Sequence, residues 1–422
     1  MPKIYILKQI ILVCKNYKIY NPKMKKILFV IISILIFQNI FAQKQVTSPQ
    51  FILPGHTNDL NALAFSMRYN LLASAGWDNS INFYNGDTTL QLVKTIPNAH
   101  NAQINALKYN KQGSLLASAS NDLVINVYDS TYKKTKMLVA SSGHAANINA
   151  ITFDNSGKVI FSGDDAGKII IWSIETQKIL RTLQNTVQVN ALAMSNDPRT
   201  IIVAGQEPTI RVINVANSQT QRSFVGHTDV VNAIEISPNQ KYLLSGSNDK
   251  SARIWDIRTG NELKKLAVDC WKVTAVAFSF DSKYCATGCN DGSIKIWEVE
   301  TGNLIESISG QNFNTRDLVF FRRYNQIAAA PMLKNSNEFG VRVYQTDLID
   351  PITASQLVKV TKTNIVLNKF QNEIDSILLK RTLTKQDSIK YQIKPLKVMV
   401  KSKNINKAPL DSVRIYKTPS LK

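Results

Sequence analysis

Between residues 46 and 345 the apolar positions fall in short stretches rich in Val, Ile, Leu, Phe and Tyr, separated by Asn, Asp, Gly, Ser and Pro. This is strand-and-turn patterning. One unit shows it well: Val231–Ile236, Lys241–Gly246, Ser251–Trp255 and Asn261–Leu266 read as four strands, with SPNQ and NDK as turns between them. The unit then recurs. Its halves, GHTDVVNAIEIS from Gly226 and SGSNDKSARIWD from Ser245, have counterparts in GHTNDLNALAFS from Gly55 with SAGWDNSINFYN from Ser74, in AHNAQINALKYN from Ala99 with SASNDLVINVYD from Ser118, and in GHAANINAITFD from Gly143 with SGDDAGKIIIWS from Ser162. Weaker copies are VQVNALAM from Val187 with VAGQEPTIRVIN from Val203, KVTAVAFS from Lys272 with TGCNDGSIKIWE from Thr287, and TRDLVFF from Thr315 with GVRVYQ from Gly340. The closing residues Tyr84, Tyr128, Trp172, Ile213, Trp255, Trp297 and Tyr344 return at intervals of 44, 44, 41, 42, 42 and 47 residues. Seven returns of one pattern at a near-fixed interval mark a repeat architecture.

A single four-stranded sheet cannot bury both its faces. A ring of such sheets does, and leaves only short edges. The pattern therefore predicts an all-β fold, a seven-bladed propeller over residues 46–345. Val46–Leu53 is extended and belongs to no blade of its own. It is expected to pair as the outer strand of the last blade, beside Gly340–Tyr344, so that the two ends of the ring are tied and an open edge disappears.

The GH dipeptide, the Asp before the third strand and the WD-like close, literal only at Trp255-Asp256, resemble the WD40 repeat family. The resemblance covers residues 46–345 and implies, in each blade, a hydrogen-bonded tetrad of His, Ser or Thr, Asp and Trp. His227, Ser245, Asp249 and Trp255 match every position. His56, Ser74 and Asp78 match with Tyr84 in place of Trp, and His100, Ser118 and Asp122 with Tyr128. His144, Ser162 and Trp172 match, but Ala166 falls where Asp is expected and Asp165 stands one place early. Blades four, six and seven lack the His, and are expected to be looser or held by other means. The resemblance also implies a scaffold that binds a protein or peptide on the face built from the loops between blades and the turns after each second strand.

Two aromatic residues align with that face: Trp77, just before Asp78, and Trp271, which aligns with Asp229. Trp is the residue most enriched at binding hot spots. Asn61, Asn105, Asn149, Asn190, Asn232, Thr274 and Asp317 occupy one equivalent position and are expected near the mouth of the central channel. There they either bond between adjacent blades or form a polar ring that receives a peptide. In blade six, Cys270 and Cys289 are predicted on the same side of the blade, where a disulfide would compensate for the missing tetrad; Cys285 is expected as a small buried residue of the second strand.

Catalytic chemistry finds little material. The chain has four histidines, and all four are the tetrad histidines, so none is left over as a general base or a metal ligand. No CxxC, HxxxH or DxDxDG spacing occurs, so no metal is called for, nor any cofactor. GDDAGK from Gly163 is one residue short of a phosphate loop, is followed by Ile169, and lies in a hairpin turn rather than before a helix. The expectation is a non-enzymatic platform. The alternative is a propeller enzyme or a sensor of a small ligand in the central channel, and two acidic residues converging there with raised pKa values would favour it.

The ends differ from the middle. The net charge of +21 divides into +7 over residues 1–43 and +9 over residues 346–422, leaving +5 for the rest. A nucleic-acid-binding domain would carry its basic stripe on the folded part, so the distribution argues against that partner. Residues 1–42 read as a signal peptide with an extension in front. From Met24, two lysines precede the apolar run Ile27–Phe37, and Ala42 precedes a cleavage point before Gln43. An 11-residue run is short of the roughly 20 needed to span a bilayer, so cleavage is expected over retention as an anchor. Residues 1–23 fit no signal, and Met24 is the expected start. The resulting location is periplasmic, secreted or associated with the cell envelope, where disulfides persist. The basic extension 346–422 contains no repeat unit; it is expected to act as a docking segment, with an anionic membrane surface as one contact.

Overall fold

A computed structural model describes residues 45–46, 48–87, 89–184, 187–309, 313–321, 326–333, 338–346 and 348. Residues 1–42, where a signal peptide is expected, and nearly all of the basic extension lie outside the described residues. Every element within them is a strand, and the strands form seven sheets arranged as the blades of a propeller. Within a blade the chain runs from an inner strand to an outer one through antiparallel hairpins, as in the fifth: Val231–Ile236, Tyr242–Ser247, Ser251–Asp256 and Glu262–Ala267. The second and fourth of these lie one residue later than the sequence pattern suggests.

The core follows from strand composition. Second and third strands such as Leu71–Gly76 and Ile81–Asn85 are buried along most of their length, because each blade is covered on both faces by its neighbours. The fourth strands, such as Leu92–Ile96, are largely exposed. The apolar clusters lie between blades. Leu244, Ile254 and Leu266 of blade five, for example, pack with Val276, Cys285 and Trp297 of blade six.

The first strand of nearly every blade carries a one-residue bulge near its start. It falls at Asn61, Asn105, Asn149, Asn190, Asn232 and Thr274. A bulge leaves its residue unpaired and re-aims the side chain, and these six side chains turn toward the channel.

The ring closes much as expected, with one amendment. Phe51–Leu53 pairs antiparallel with Val341–Gln345 and forms the fourth strand of blade seven. Gln45–Val46 does not continue that pairing. It crosses to blade six and adds a fifth, parallel strand beside Leu304–Ile308. The amino-terminal segment thus ties blade seven to its own end and touches blade six as well.

Candidate functional site

The four histidines sit as the repeat requires. In blade five, the Trp255 Nε1–H can only donate, and it donates to Ser245 Oγ at 2.8 Å. The serine hydroxyl then donates to His227 Nε2 at 2.7 Å, which leaves the proton on Nδ1 to meet Asp249 Oδ2 at 2.8 Å. The direction of the chain fixes a neutral imidazole. Burial lowers the His227 pKa, consistent with that state. Blade three repeats the relay through Trp172, Ser162 and His144. Its acid, however, is neither Ala166 nor Asp165. His144 Nδ1 meets Asp164 Oδ2 at 2.7 Å, because Asp164 folds back from two residues earlier and also accepts the Ala166 and Lys168 N–H groups.

Blades one and two hold the His, Ser and Asp of the relay but not its last link. His56 joins Ser74 and Asp78, and His100 joins Ser118 and Asp122. The longer reach of tyrosine carries the hydroxyl elsewhere: Tyr84 donates to the Pro54 carbonyl at 2.8 Å and Tyr128 to the Ala99 carbonyl at 3.4 Å. In blade six the sulfurs of Cys270 and Cys289 are at bonding distance, 2.17 Å. There Trp297 Nε1 still donates to Thr287 Oγ1 at 3.0 Å, and Asp269, in the His position, pairs with Lys295 at 2.9 Å. Cys285 is the free, buried cysteine of that blade. In blade four Glu207, which aligns with Asp249, forms an ion pair with Arg211.

The ring at the channel mouth is a set of clasps between blades. Asn61, Asn105, Asn149, Asn190 and Asn232 each donate from Nδ2 to a backbone carbonyl of the following blade, at Ile104, Ile148, Val189, Val231 and Val273, over 2.9–3.3 Å. Thr274 does the same toward Thr315. The seventh member is Arg316, not Asp317. The bulge of the last blade falls at Arg316 and moves Asp317 one position deeper.

Above this ring lies a wide cup of about 720 Å³. Thirteen of its eighteen lining residues are Asn or Gln; the charged ones are Asp165, Lys272 and Arg316. Part of the lining is a second polar circle three residues after each tetrad serine or threonine, including Asn121, Asp165, Asn248 and Asn290. Asn105 and Asn232 bond to Asn121 and Asn248, and Asn149 bonds to Asp165. Sequence reasoning named the first circle and missed the second, although the same repeat spacing marks it. Trp77 occupies the second-circle position in blade one. Its indole N–H donates to Asn61 Oδ1 at 3.2 Å and the residue is 42% exposed. Trp271 is 72% exposed, follows Cys270 directly, and carries the Lys250 ammonium over its ring at 4.6 Å from the centroid.

Below the ring, a second part of the channel contains Glu235, Asp317, Lys108 and Arg316. Glu235 Oε2 accepts the Phe278 N–H of blade six at 2.7 Å, and Asp317 Oδ2 accepts the Leu63 N–H of blade one at 2.8 Å. These are edge amides of the next blade that no strand pairs. Burial outweighs those bonds and pushes Glu235 up to about 7 and Asp317 up to about 6. Among the described residues no group of three or more His, Cys, Asp or Glu is placed to hold a metal ion.

Comparison with known proteins gives one family. The model for the WD domain, G-beta repeat, matches five times, over residues 47–85, 90–129, 135–173, 218–256 and 260–298. No curated protein matches the chain. The unmatched stretches are blade four and blade seven, where the structure supplies the same four-stranded sheet without the GH histidine. With five matched repeats and seven blades of one build, the chain belongs to the WD40 repeat family.

Proposed function

We propose that this propeller is an exported, non-enzymatic platform that holds a protein partner by an extended peptide segment laid across the amide-lined cup. WD40 propellers are in general protein-interaction scaffolds. The observation that carries the reading is the cup itself. Carboxamides present donors and acceptors side by side, and a ring of them matches the alternating N–H and C=O groups of an extended backbone. A cup with three charged lining residues does not select a strongly charged ligand. Trp77 and Trp271 supply the apolar anchors that such interfaces need. The anchorage of Trp271 beside Cys270 limits the side-chain ordering cost of binding. Export is read from Lys25, Lys26, the apolar run and Ala42, and the disulfide-bonded pair Cys270–Cys289 accords with an oxidising location. The basic extension is read as an auxiliary docking segment.

The test is capture from the native envelope fraction by the full-length protein, with Trp77→Ala/Trp271→Ala as control. A partner held by the wild type and lost by the folded double variant supports the reading; equal capture by both overturns it. Amino-terminal sequencing of the fractionated protein tests export, with Gln43 the expected first residue.

A second reading has its own observation. Glu235 and Asp317, raised in pKa and facing Lys108 and Arg316, give the lower channel the mixed charge that a small zwitterionic ligand would use. Each carboxylate already holds an edge amide of the next blade, so their first role is joining blades, and the platform is the reading the geometry supports better.

A further inference from the structure

The turn after the third strand repeats around the ring with one residue in the left-handed region. These are Leu90, Tyr132, Gln177, Ser218, Gly260 and Gly302, with φ of 49°, 65°, 58°, 64°, 82° and 76°. A large side chain there costs about 1 kcal/mol, which glycine avoids. Blade two nevertheless places Tyr132 in that position, and its ring packs on Phe83 of blade one with centroids 4.7 Å apart. Hairpins alternate ends, so the turns after first and third strands lie on the face opposite the cup. On that face Tyr132, Phe83, Tyr69, Tyr109 and Asp129 line a cavity of about 160 Å³ between blades one and two.

The polar atoms of this cavity are unusual. The Tyr109 hydroxyl is buried and has no hydrogen-bond partner among the described residues, which is costly unless something else satisfies it. Asp129 accepts the Thr131 N–H, the Thr131 hydroxyl and the Lys133 N–H on Oδ1, and no bond among the described residues reaches Oδ2. Those bonds, the Thr131 hydroxyl foremost, hold the Asp129 carboxyl below the usual carboxylate range, so it is charged at neutral pH. One wall already attracts a cation: the Arg68 guanidinium lies 5.5 Å from the Tyr69 ring centroid.

We propose that this pocket is a binding site for an organic cation, a methylated ammonium group on a small molecule or a side chain. Aromatic rings attract a cation through their negative faces. A methylated ammonium also fills an apolar cavity better than a strongly hydrated primary one. The Asp129 carboxylate supplies the counter-charge. The site lies on the opposite face from the cup and stands or falls independently of the platform reading.

The experiment is calorimetric titration of the full-length protein with choline and with 3,3-dimethylbutan-1-ol, which has the same shape without the charge. Choline is expected to bind saturably and at least about tenfold more tightly than the alcohol. Tyr132→Gly suits the left-handed backbone, so it folds, and it is expected to lose choline binding. Asp129→Asn keeps the Oδ1 acceptor and is expected to weaken choline severalfold while leaving the alcohol unchanged. Absence of choline binding, equal affinity for choline and the alcohol, or unchanged binding by folded Tyr132→Gly would each overturn the proposal.

Discussion

Blades five and six solve one problem in two ways. Each must fasten the loop that precedes its inner strand to the turn after its second strand. Blade five does so with a one-way relay of hydrogen bonds, Trp255 to Ser245 to His227 to Asp249. Blade six has lost the His and keeps only the Trp297–Thr287 link, and the tie between the same two segments is the Cys270–Cys289 disulfide. The relay draws its strength from a neutral indole, hydroxyl and imidazole ending on the Asp249 carboxylate, where every member is satisfied and none can be removed alone. The disulfide constrains the chain without needing any such partners. Two blades of one ring thus keep the same tie with different residues.

The sharpest way to break this comparison is to remove one member of the relay. His227→Ala leaves Ser245 and the Asp249 carboxylate without their shared partner in a buried site. It is expected to cost about 3 kcal/mol in urea denaturation. The matching experiment in blade six is Cys270→Ser/Cys289→Ser, expected to cost about 2–3 kcal/mol for a loop closed over 19 residues. A reductant should bring the wild type down to the double variant and leave the variant unmoved.

Titration separates the two kinds of tie further. Glu235 lies at about 7 in the fold against 4.5 in a free chain, and Asp317 at about 6 against 3.8. Between those values the folded protein keeps a proton that the unfolded chain has released. These two groups therefore add stability at lower pH and lose it as pH rises, Glu235 between 4.5 and 7 and Asp317 between 3.8 and 6. His227, with its pKa lowered from 6.5, acts the other way, its stability falling as pH drops below 6.5. Glu235→Gln retains an acceptor for the Phe278 N–H but cannot ionise. It is expected to gain on the order of 2 kcal/mol relative to wild type at pH 8 and nothing at pH 4, read from paired denaturation curves. The smallest effect is expected in blade three. Ala166→Asp restores the residue of the family pattern, but Asp164 already serves His144 and position 166 is exposed. The change should lie within about 0.5 kcal/mol.

The sequence made the blade count, the relays of His56, His100 and His227, and the closing strand readable, because each is written in residues that recur at a fixed interval. Single-residue displacements were not readable. Asp164 reaches its histidine from a place that no other blade uses. The bulge at Arg316 shifts Asp317 out of the ring and into the lower channel, and nothing in TRDLVFF distinguishes the two registers before the strand is paired. The hydroxyls of Tyr84 and Tyr128 reach carbonyls that a shorter-reaching indole N–H does not. The second circle of the cup was legible in principle, since Asn121, Asp165, Asn248 and Asn290 recur three places after a tetrad serine or threonine. The cavity beneath blades one and two was not, because Tyr132 and Phe83 come from different blades and meet only through the packing of the ring.

The pairing of Phe51–Leu53 with Val341–Gln345 also orders events in time. One of the first described strands has for its partner the last described strand. Contacts this distant in sequence are the slowest to form, so the earlier blades can assemble while the ring is still open. The ribosome delivers the chain from its amino-terminal end. Phe51–Leu53 must therefore wait, unpaired, until Gln345 has been made. A protease or a holding chaperone has its best opportunity in that interval, and a chain cut short before Val341 can never end it.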